Sequence, residues 1–143
     1  MIAVSSQAPY NKKAEIFEDG AWTDIQDPPA PIGWGQYAVV FDAGNFYYFG
    51  GWNGHYISSI LRLDATSWTW SEVGSMTRGR HGHGVFVNGN TFMQIGGNGH
   101  YRTEACVLSN GQFTCEENTT VQPLGGYAYW PFLLPVSDTF ELC

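Results

Sequence analysis

The sequence predicts an all-β protein built from repeated four-stranded antiparallel sheets, and three observations carry this prediction. Glycine pairs end two apolar runs, at Gly50-Gly51 and Gly96-Gly97, and segments 38–51 and 84–97 align without a gap at a separation of 46 residues. Aromatic residues make up 16% of the chain and glycine is frequent, at 18 residues, which is typical of short strands joined by tight turns. No long segment has a 3.6-residue apolar stripe, so we expect almost no helix.

Composition and charge exclude several classes of function. The chain has 143 residues, which is enough for one domain with a sizeable core. Its apolar runs are all short, so we expect no membrane insertion, and residues 1–4 are too brief for the apolar core of a signal peptide. The formal net charge is −7, with only six lysine and arginine residues, so we expect no nucleic-acid partner.

The first part of the chain is predicted to contain a tail and a partial repeat. Residues 1–13 carry no periodicity, and we interpret them as a tail. Strands are predicted at 14–17 and 22–25, because an Asp-Gly turn at Asp19-Gly20 between two apolar runs indicates a hairpin. The proline-rich segment 27–31 then interrupts regular structure.

Two complete copies of a four-strand unit follow. The first copy has predicted strands at 37–41, 46–49, 57–63 and 68–73, with turns at 42–45 and 64–67. The second copy has predicted strands at 83–87, 92–95, 103–108 and 112–116, with turns at 88–90 and 110–111. Each unit is predicted to be an antiparallel meander, because short turns join successive strands.

A single meander leaves both faces exposed, so copies must stack face to face to bury a core. A radial stack of such sheets is a β-propeller. Glycines at the inner end of a strand let the backbone turn where neighbouring sheets crowd the axis. Large aromatic side chains are predicted to fill the wedge-shaped space between the sheets, namely Trp22, Trp70 and Phe113.

One ordered set of residues recurs along the chain and resembles the kelch repeat. After Gly50-Gly51 come Leu63-Asp64, Trp70 with Val73 three residues later, Met76 and Arg80. After Gly96-Gly97 come Leu108 and then Phe113 at the tryptophan position, and the partial copy has Phe17-Glu18 and Trp22. The resemblance covers residues 14–124. The sequence departs from the pattern at Phe113, which replaces tryptophan, and at Trp34, which stands where the next copy has Arg80.

This resemblance implies a kelch-type β-propeller, whose closed ring has about four to eight blades. Two full and two partial copies supply about half of such a ring, so we expect an incomplete, open ring that is a fragment or needs further blades. The predicted units are a tail at 1–13, a partial blade at 14–35, blades at 36–80 and 81–124, and the start of a further blade or a tail at 125–143. The resemblance also implies that Arg80 satisfies carbonyl groups between blades.

The hairpin register predicts a disulfide bond between Cys106 and Cys115. A two-residue turn at Asn110-Gly111 places Ser109 opposite Gln112, and continuing the register places Cys106 opposite Cys115. The two cysteines then form a non-hydrogen-bonded pair, where Cα atoms lie about 4.5 Å apart. This separation is within the range of a disulfide bond. The alternative is two reduced thiols packed side by side.

A disulfide bond and a glycosylation sequon both indicate an extracellular protein. Disulfide bonds persist in oxidising compartments. Asn118-Thr119-Thr120 is an acceptor sequence for N-glycosylation, directly after the strand that contains Cys115. We therefore expect an extracellular, secreted protein, with a cytoplasmic location as the alternative.

The loops after the glycine pairs contain the candidate ligand-facing residues. Both loops contain Asn-Gly-His-Tyr, at 53–56 and 98–101, and such loops gather at one end of the ring. The candidates are Trp52, Asn53, His55, Tyr56, Asn98, His100 and Tyr101. For the repeated histidines we favour a role in repeat geometry. For the aromatic patch of Tyr47, Tyr48, Trp52 and Tyr56 we favour core packing, with sugar or peptide stacking as the alternative.

No catalytic or cofactor site is predicted. His81 and His83 have a spacing that can ligate a metal, but no nearby cysteine or carboxylate completes a site, so we interpret them as blade-edge residues that bond to loops. Acidic residues such as Asp42, Asp64 and Glu72 lack a paired spacing that suggests acid–base chemistry. No nucleophile motif or phosphate-binding loop is present.

We therefore expect a non-catalytic module that binds a protein partner, with no cofactor and no metal. The alternative is a fragment of a copper enzyme similar to galactose oxidase, or a carbohydrate-binding propeller. The copper enzymes of that group need a tyrosine–cysteine cofactor and histidine ligands, and this chain does not present them as a recognisable set.

Overall fold

A computed structural model describes residues 2–7, 11–29, 36–99 and 102–118, and these residues form eleven β-strands and no helix. Within these ranges no helix has the length and apolarity needed to span a membrane. The strands are β1 (Ile2–Gln7), β2 (Asn11–Glu18), β3 (Ala21–Asp24), β4 (Ala38–Asp42), β5 (Asn45–Phe49), β6 (Ser59–Asp64), β7 (Trp70–Ser75), β8 (Gly84–Asn88), β9 (Thr91–Ile95), β10 (Glu104–Ser109) and β11 (Gln112–Glu117).

Strands β4 to β7 and strands β8 to β11 form two complete antiparallel meanders, as the sequence predicted. The spatial orders are β4-β5-β6-β7 and β11-β10-β9-β8, so each strand pairs with its neighbours in sequence. The predicted third strand of the first meander began at Ile57, but β6 begins at Ser59. The reason is that the Ile57 amide donates to the Gly51 carbonyl at 3.1 Å, outside the ladder.

Tight turns fix the register of the hairpins. Asp19 and Gly20 both have positive φ angles, 52° and 83°, and so do Asn110 and Gly111, at 51° and 77°. Positive φ at both central residues is the type I′ geometry, whose twist matches that of the flanking strands. Both predicted two-residue turns are therefore confirmed.

The two complete sheets pack face to face around an aromatic core. Tyr47 and Phe49 of β5 meet Phe92 of β9 and Phe113 of β11. The Phe113 ring centroid lies 4.9 Å from that of Phe92, 5.4 Å from that of Tyr47 and 5.4 Å from that of Phe49, all edge-to-face. This geometry is the favoured one for aromatic rings. Phe113 thus fills the space between sheets, as predicted.

The interpretation of residues 1–13 as a tail was wrong. Strand β1 pairs along its whole length with β2 in a hairpin that runs from Ile2 opposite Ile16 to Gln7 opposite Asn11. The backbone ladder to β2 defines this strand, whereas the prediction relied on apolar periodicity, which the segment lacks. For the same reason β2 begins at Asn11 rather than at the predicted Ala14.

Trp22 does not fill a space between sheets, and this prediction was also wrong. Trp22 lies opposite Phe17, with ring centroids 5.2 Å apart, and its exposed fraction is 48%. The other face of this hairpin contains the buried Ala14 and Ile16, and next to them Ile25 packs on the core of the first complete sheet. Since side chains alternate along a strand, Trp22 points to the opposite side.

The three-stranded sheet β1–β3 covers its neighbour only in part. Trp70 of β7 is half-buried on the face of the first complete sheet that meets β1–β3. Its indole nitrogen donates to the Gln26 carbonyl at 2.8 Å. Val39 and Phe41 of β4 lie on the same face of the first complete sheet as Trp70, but their exposed fractions are 42% and 56%. The described residues thus form an open array of sheets, in agreement with the predicted incomplete ring.

Cys106 and Cys115 form the predicted disulfide bond. They lie opposite each other in the β10–β11 ladder, with Ser109 opposite Gln112 at its end, as the register predicted. The sulfur of Cys106 is buried in the core between the two complete sheets. Asn118 follows β11, and its amide donates to the Thr103 carbonyl at 2.9 Å. Its glycosylation stays a prediction.

Loss of this bridge is expected to lower the free energy of unfolding by about 2–3 kcal/mol, because the bridge closes a loop of about ten residues in the unfolded chain. The measurement compares urea unfolding of the oxidised protein and of the double variant Cys106→Ala/Cys115→Ala. Both proteins carry Cys143→Ala, so that mixed disulfides cannot form. Free thiols at both positions in a non-reducing mass measurement would refute the bridge.

Candidate functional site

Three connections form one end of the two complete sheets. They join β5 to β6 (50–58), β7 to β8 (76–83) and β9 to β10 (96–103), and the described part of them is called the rim below. Backbone hydrogen bonds hold them together: the Gly51 amide donates to the Arg80 carbonyl at 2.9 Å, and His81 and Asn98 exchange bonds of 3.1 Å and 2.9 Å. The rim is therefore one continuous surface.

Gly50 shows why the glycine pairs stand at this end. Its φ is 66°, and a Cβ atom added there would lie 2.5 Å from the Arg80 carbonyl oxygen and 2.8 Å from the Met76 methyl group. No larger residue fits such an approach, and L-residues rarely adopt this φ. The predicted role of the glycine pair, a turn in a crowded place, is thus observed.

Arg80 connects the two complete sheets. Its amide donates to the Ile57 carbonyl at 3.1 Å in the first sheet's connection. Its fully buried guanidinium reaches the second sheet, where Nη1 donates to the carbonyls of Arg102 at 2.7 Å and Gly96 at 3.3 Å. The kelch resemblance implied such bonds to carbonyl groups.

The sequence did not reveal the buried carboxylate that pairs with Arg80. Arg80 Nη2 donates to Glu104 Oε2 at 2.9 Å, and neither side chain is exposed to solvent. The Thr77 amide donates to the other oxygen, Oε1. Burial lowers the pKa of the Arg80 guanidinium, and the Glu104 carboxylate partly offsets this effect. The available signal was the position of Glu104 two residues before Cys106, because residues two apart along β10 lie on the same face and both are buried.

An aromatic cluster lies on the rim beside this junction. The Trp52 ring is 5.0 Å from the Tyr56 ring and 5.5 Å from the His81 ring, and Tyr56 and His81 stack at 5.5 Å with 12° between their planes. The exposed fraction of Tyr56 is 41%. A Cβ atom added at Gly99 would lie 2.7 Å from the Tyr56 ring, so this glycine provides the space for it.

The predicted loop residues separate into three groups. All five described residues belong to the rim: Trp52 and Tyr56 pack against each other and Asn98 bonds to His81. The Asn53 amide donates to the His55 carbonyl at 3.3 Å, and His55 is exposed. His100 and Tyr101 lie outside the described residues, as do Trp34 and the predicted further blade at 125–143.

The aromatic patch of the sequence serves two purposes. Tyr47 and Tyr48 are buried on opposite faces of β5, where they belong to two different cores. Trp52 and Tyr56 are part of the rim. The core-packing interpretation is therefore correct for the first two residues, whereas Trp52 is half-buried and Tyr56 is exposed at the rim.

His81 and His83 have different environments. His81 is half-buried at the rim, and burial lowers its pKa. His83 is 5% exposed and lies between the sheets.

The potential metal-ligating atoms of Glu104, Cys106 and Cys115 lie close together, but the disulfide bond engages both sulfurs.

Stacked four-stranded meanders with glycine pairs at one end are blades of the β-propeller class, arranged here as an incomplete ring. The family model described as "Kelch motif" matches residues 34–77, which include β4 to β7. The chain therefore carries a kelch repeat, as the residue pattern predicted. No curated protein matches the chain.

Replacement of Arg80 by methionine is expected to lower the free energy of unfolding by about 3–5 kcal/mol, because Glu104 then stays buried without its cation. The matched control is Arg102→Met, whose partner Glu117 lies at 3.1 Å on the surface. The control should cost less than about 1 kcal/mol. Urea unfolding measures both, and equal losses would contradict the proposed junction.

Replacement of Gly99 by alanine is expected to destabilise the protein by about 2–4 kcal/mol, because a positive φ of 90° and a contact with Tyr56 act together. Gly89→Ala separates these two effects, since its φ is 60° and nothing lies near its added Cβ atom. The control should cost only about 1–2 kcal/mol. Thermal unfolding of the pair tests whether the close contacts of an added Cβ atom, with the Tyr56 ring at 2.7 Å and the Gly79 carbonyl oxygen at 2.8 Å, add to the cost of the φ angle.

Proposed function

We propose that the chain is a non-catalytic interaction module that binds a protein partner through the rim. The observation that carries this proposal is the cluster of Trp52, Tyr56 and His81, held in place by three connections that themselves bond to one another. Exposed tyrosine and tryptophan are the residues that most often dominate protein interfaces. Rigid connections also reduce the entropy lost on binding.

The disulfide bond supports an extracellular location for this module. Cross-links of this kind persist where the environment is oxidising. Asn118 lies directly after β11, which is the edge strand of its sheet. A glycan at Asn118 would therefore be attached at the edge of the sheet. A cytoplasmic location is the alternative, and reduced thiols in the protein purified from its source would favour it.

Two features favour a protein partner over the alternatives. His81 stacks on the Tyr56 ring, so the face it covers is not free for a sugar. Both described cysteines are engaged in the disulfide bond, so neither can form the thioether to tyrosine that a copper enzyme similar to galactose oxidase needs. Stoichiometric copper in the purified full-length protein would favour the enzyme.

Replacement of Tyr56 by alanine is expected to weaken binding to the partner at least tenfold, because an interface aromatic contributes about 1.4 kcal/mol or more. The partner is captured by cross-linking from an extracellular protein fraction, purified, and titrated against each variant by calorimetry. Phe86→Ala is the matched control, since Phe86 is 36% exposed but lies on a strand away from the rim.

The two variants must differ for the proposal to stand. Equal affinities of Tyr56→Ala and the unmodified protein would show that the rim is not the interface. A loss confined to Phe86→Ala would place the interface on the sheet face instead.

A further inference from the structure

Four polar side chains are buried together between the two complete sheets, and they are called the junction cluster below. Gln94 of β9 and Glu104 of β10 face each other in the ladder, and neither is exposed to solvent. His83 comes directly before β8, next to Gln94, and Arg80 reaches Glu104 from the preceding connection. Such a cluster is costly to bury unless its groups are paired.

The pairing within the cluster is complete for Glu104 and incomplete for the other three members, and in the described residues Arg80 Nε has no hydrogen-bond partner. Thr77 and Arg80 occupy the two oxygens of Glu104. Within the described part of the chain, neither ring nitrogen of His83 and neither polar atom of the Gln94 amide has a hydrogen-bond partner. The Gln94 amide lies near enough to favour a charged imidazole, but its geometry falls short of a hydrogen bond.

Charges around His83 oppose its protonation. Burial has the largest effect and the neighbouring Arg80 guanidinium adds to it, so the pKa of His83 falls to about 3. Gln94 of β9 acts against this lowering, and His81, on the same connection, adds to it with the smallest of these effects. From β10 the nearest carboxylate is Glu104, which is already held by Arg80.

His83 also contacts the connections that form the rim. A Cβ atom added at Gly97 would lie 2.8 Å from the His83 Cβ, so the two connections touch at this point. Asn98, the next residue, exchanges backbone hydrogen bonds with His81. His81 in turn stacks on Tyr56. A continuous set of contacts therefore links His83 to the rim cluster.

We propose that the junction cluster is an acid-sensitive latch: a proton on His83 adds a second positive charge beside Arg80, where the single carboxylate is already engaged, and this loosens the rim. If the rim binds a protein partner, as proposed above, loosening of the rim would release that partner, and this consequence rests on the proposed function. The effect on the rim itself does not.

The direction of the pH dependence follows from linkage. The unfolded chain binds a proton at His83 with a pKa near 6.5, whereas the folded chain binds it near 3. The open state therefore gains protons first, and the closed rim is fully stable only above about pH 6.5. Below that, the opening equilibrium rises about tenfold for each pH unit.

The test measures amide hydrogen exchange by NMR between pH 7.5 and pH 5.0. The exchanging groups are the His81 and Asn98 amides, each of which donates to the carbonyl oxygen of the other residue. Protection is corrected for the intrinsic exchange rate. Protection should fall about thirtyfold, which is tenfold per unit over the 1.5 units below pH 6.5. The reference is the Ala65 amide, which donates to the Gly44 carbonyl at 3.0 Å in the connection between β6 and β7. Its protection should change far less.

Two variants assign the effect. His83→Gln should lose most of the fall and keep only the smaller pH dependence of His81, whose pKa is also lowered by burial. The control His55→Gln should show the same fall as the unmodified protein, because His55 is exposed and lies outside the junction cluster. If His83→Gln fails to fold, the titration midpoint of His83 is measured instead from the imidazole NMR signals of the unmodified protein. A titration midpoint of His83 near 6.5, or an unchanged thirtyfold fall in His83→Gln, overturns the latch. If the partner binds Tyr56→Ala as tightly as the unmodified protein, the proposed function is refuted, but the proposed latch is not.

Discussion

The junction of the two complete sheets depends on Arg80. Its backbone lies in the connection from β7 to β8 and donates to the Ile57 carbonyl of the first sheet, and its guanidinium donates to carbonyl groups and one carboxylate of the second sheet. A buried ion pair of this kind contributes little net stability compared with apolar residues, but it strongly penalises any arrangement that separates the partners. Arg80 therefore specifies how one blade is placed against the next, while the aromatic core supplies the free energy.

The close approach at Arg80 determines the surrounding residues. The Arg80 carbonyl lies where a side chain at Gly50 would be, so the preceding strand has to end in a residue without Cβ. The chain must turn sharply at that place, and the turned segments become the rim. The glycine pair, the arginine and the aromatic rim are thus consequences of one crowded junction rather than three separate features.

The sequence predicted most of what local rules determine. Glycine turns and alternating apolar residues gave both meanders, and the Asn110-Gly111 turn gave the cysteine pairing. Strand β1 and the exposure of Trp22 could not be obtained in this way, because they depend on which strand pairs with which and on which face meets a neighbour. Glu104 was missed because a charged residue in a short strand normally faces solvent, and only its unseen partner makes burial tolerable.

The two histidines show the limit of spacing arguments most clearly. Residues two apart on a strand share a face, and this rule suggested one role for His81 and His83. The connection is not yet a strand at that point, however: His81 pairs with Asn98 in an isolated bridge, and β8 begins only at Gly84. One ring therefore stacks at the rim while the other enters the junction. In the proposed latch, a charge on the buried ring acts on the half-buried His81 through the single residue that joins them, and in this way reaches the rim.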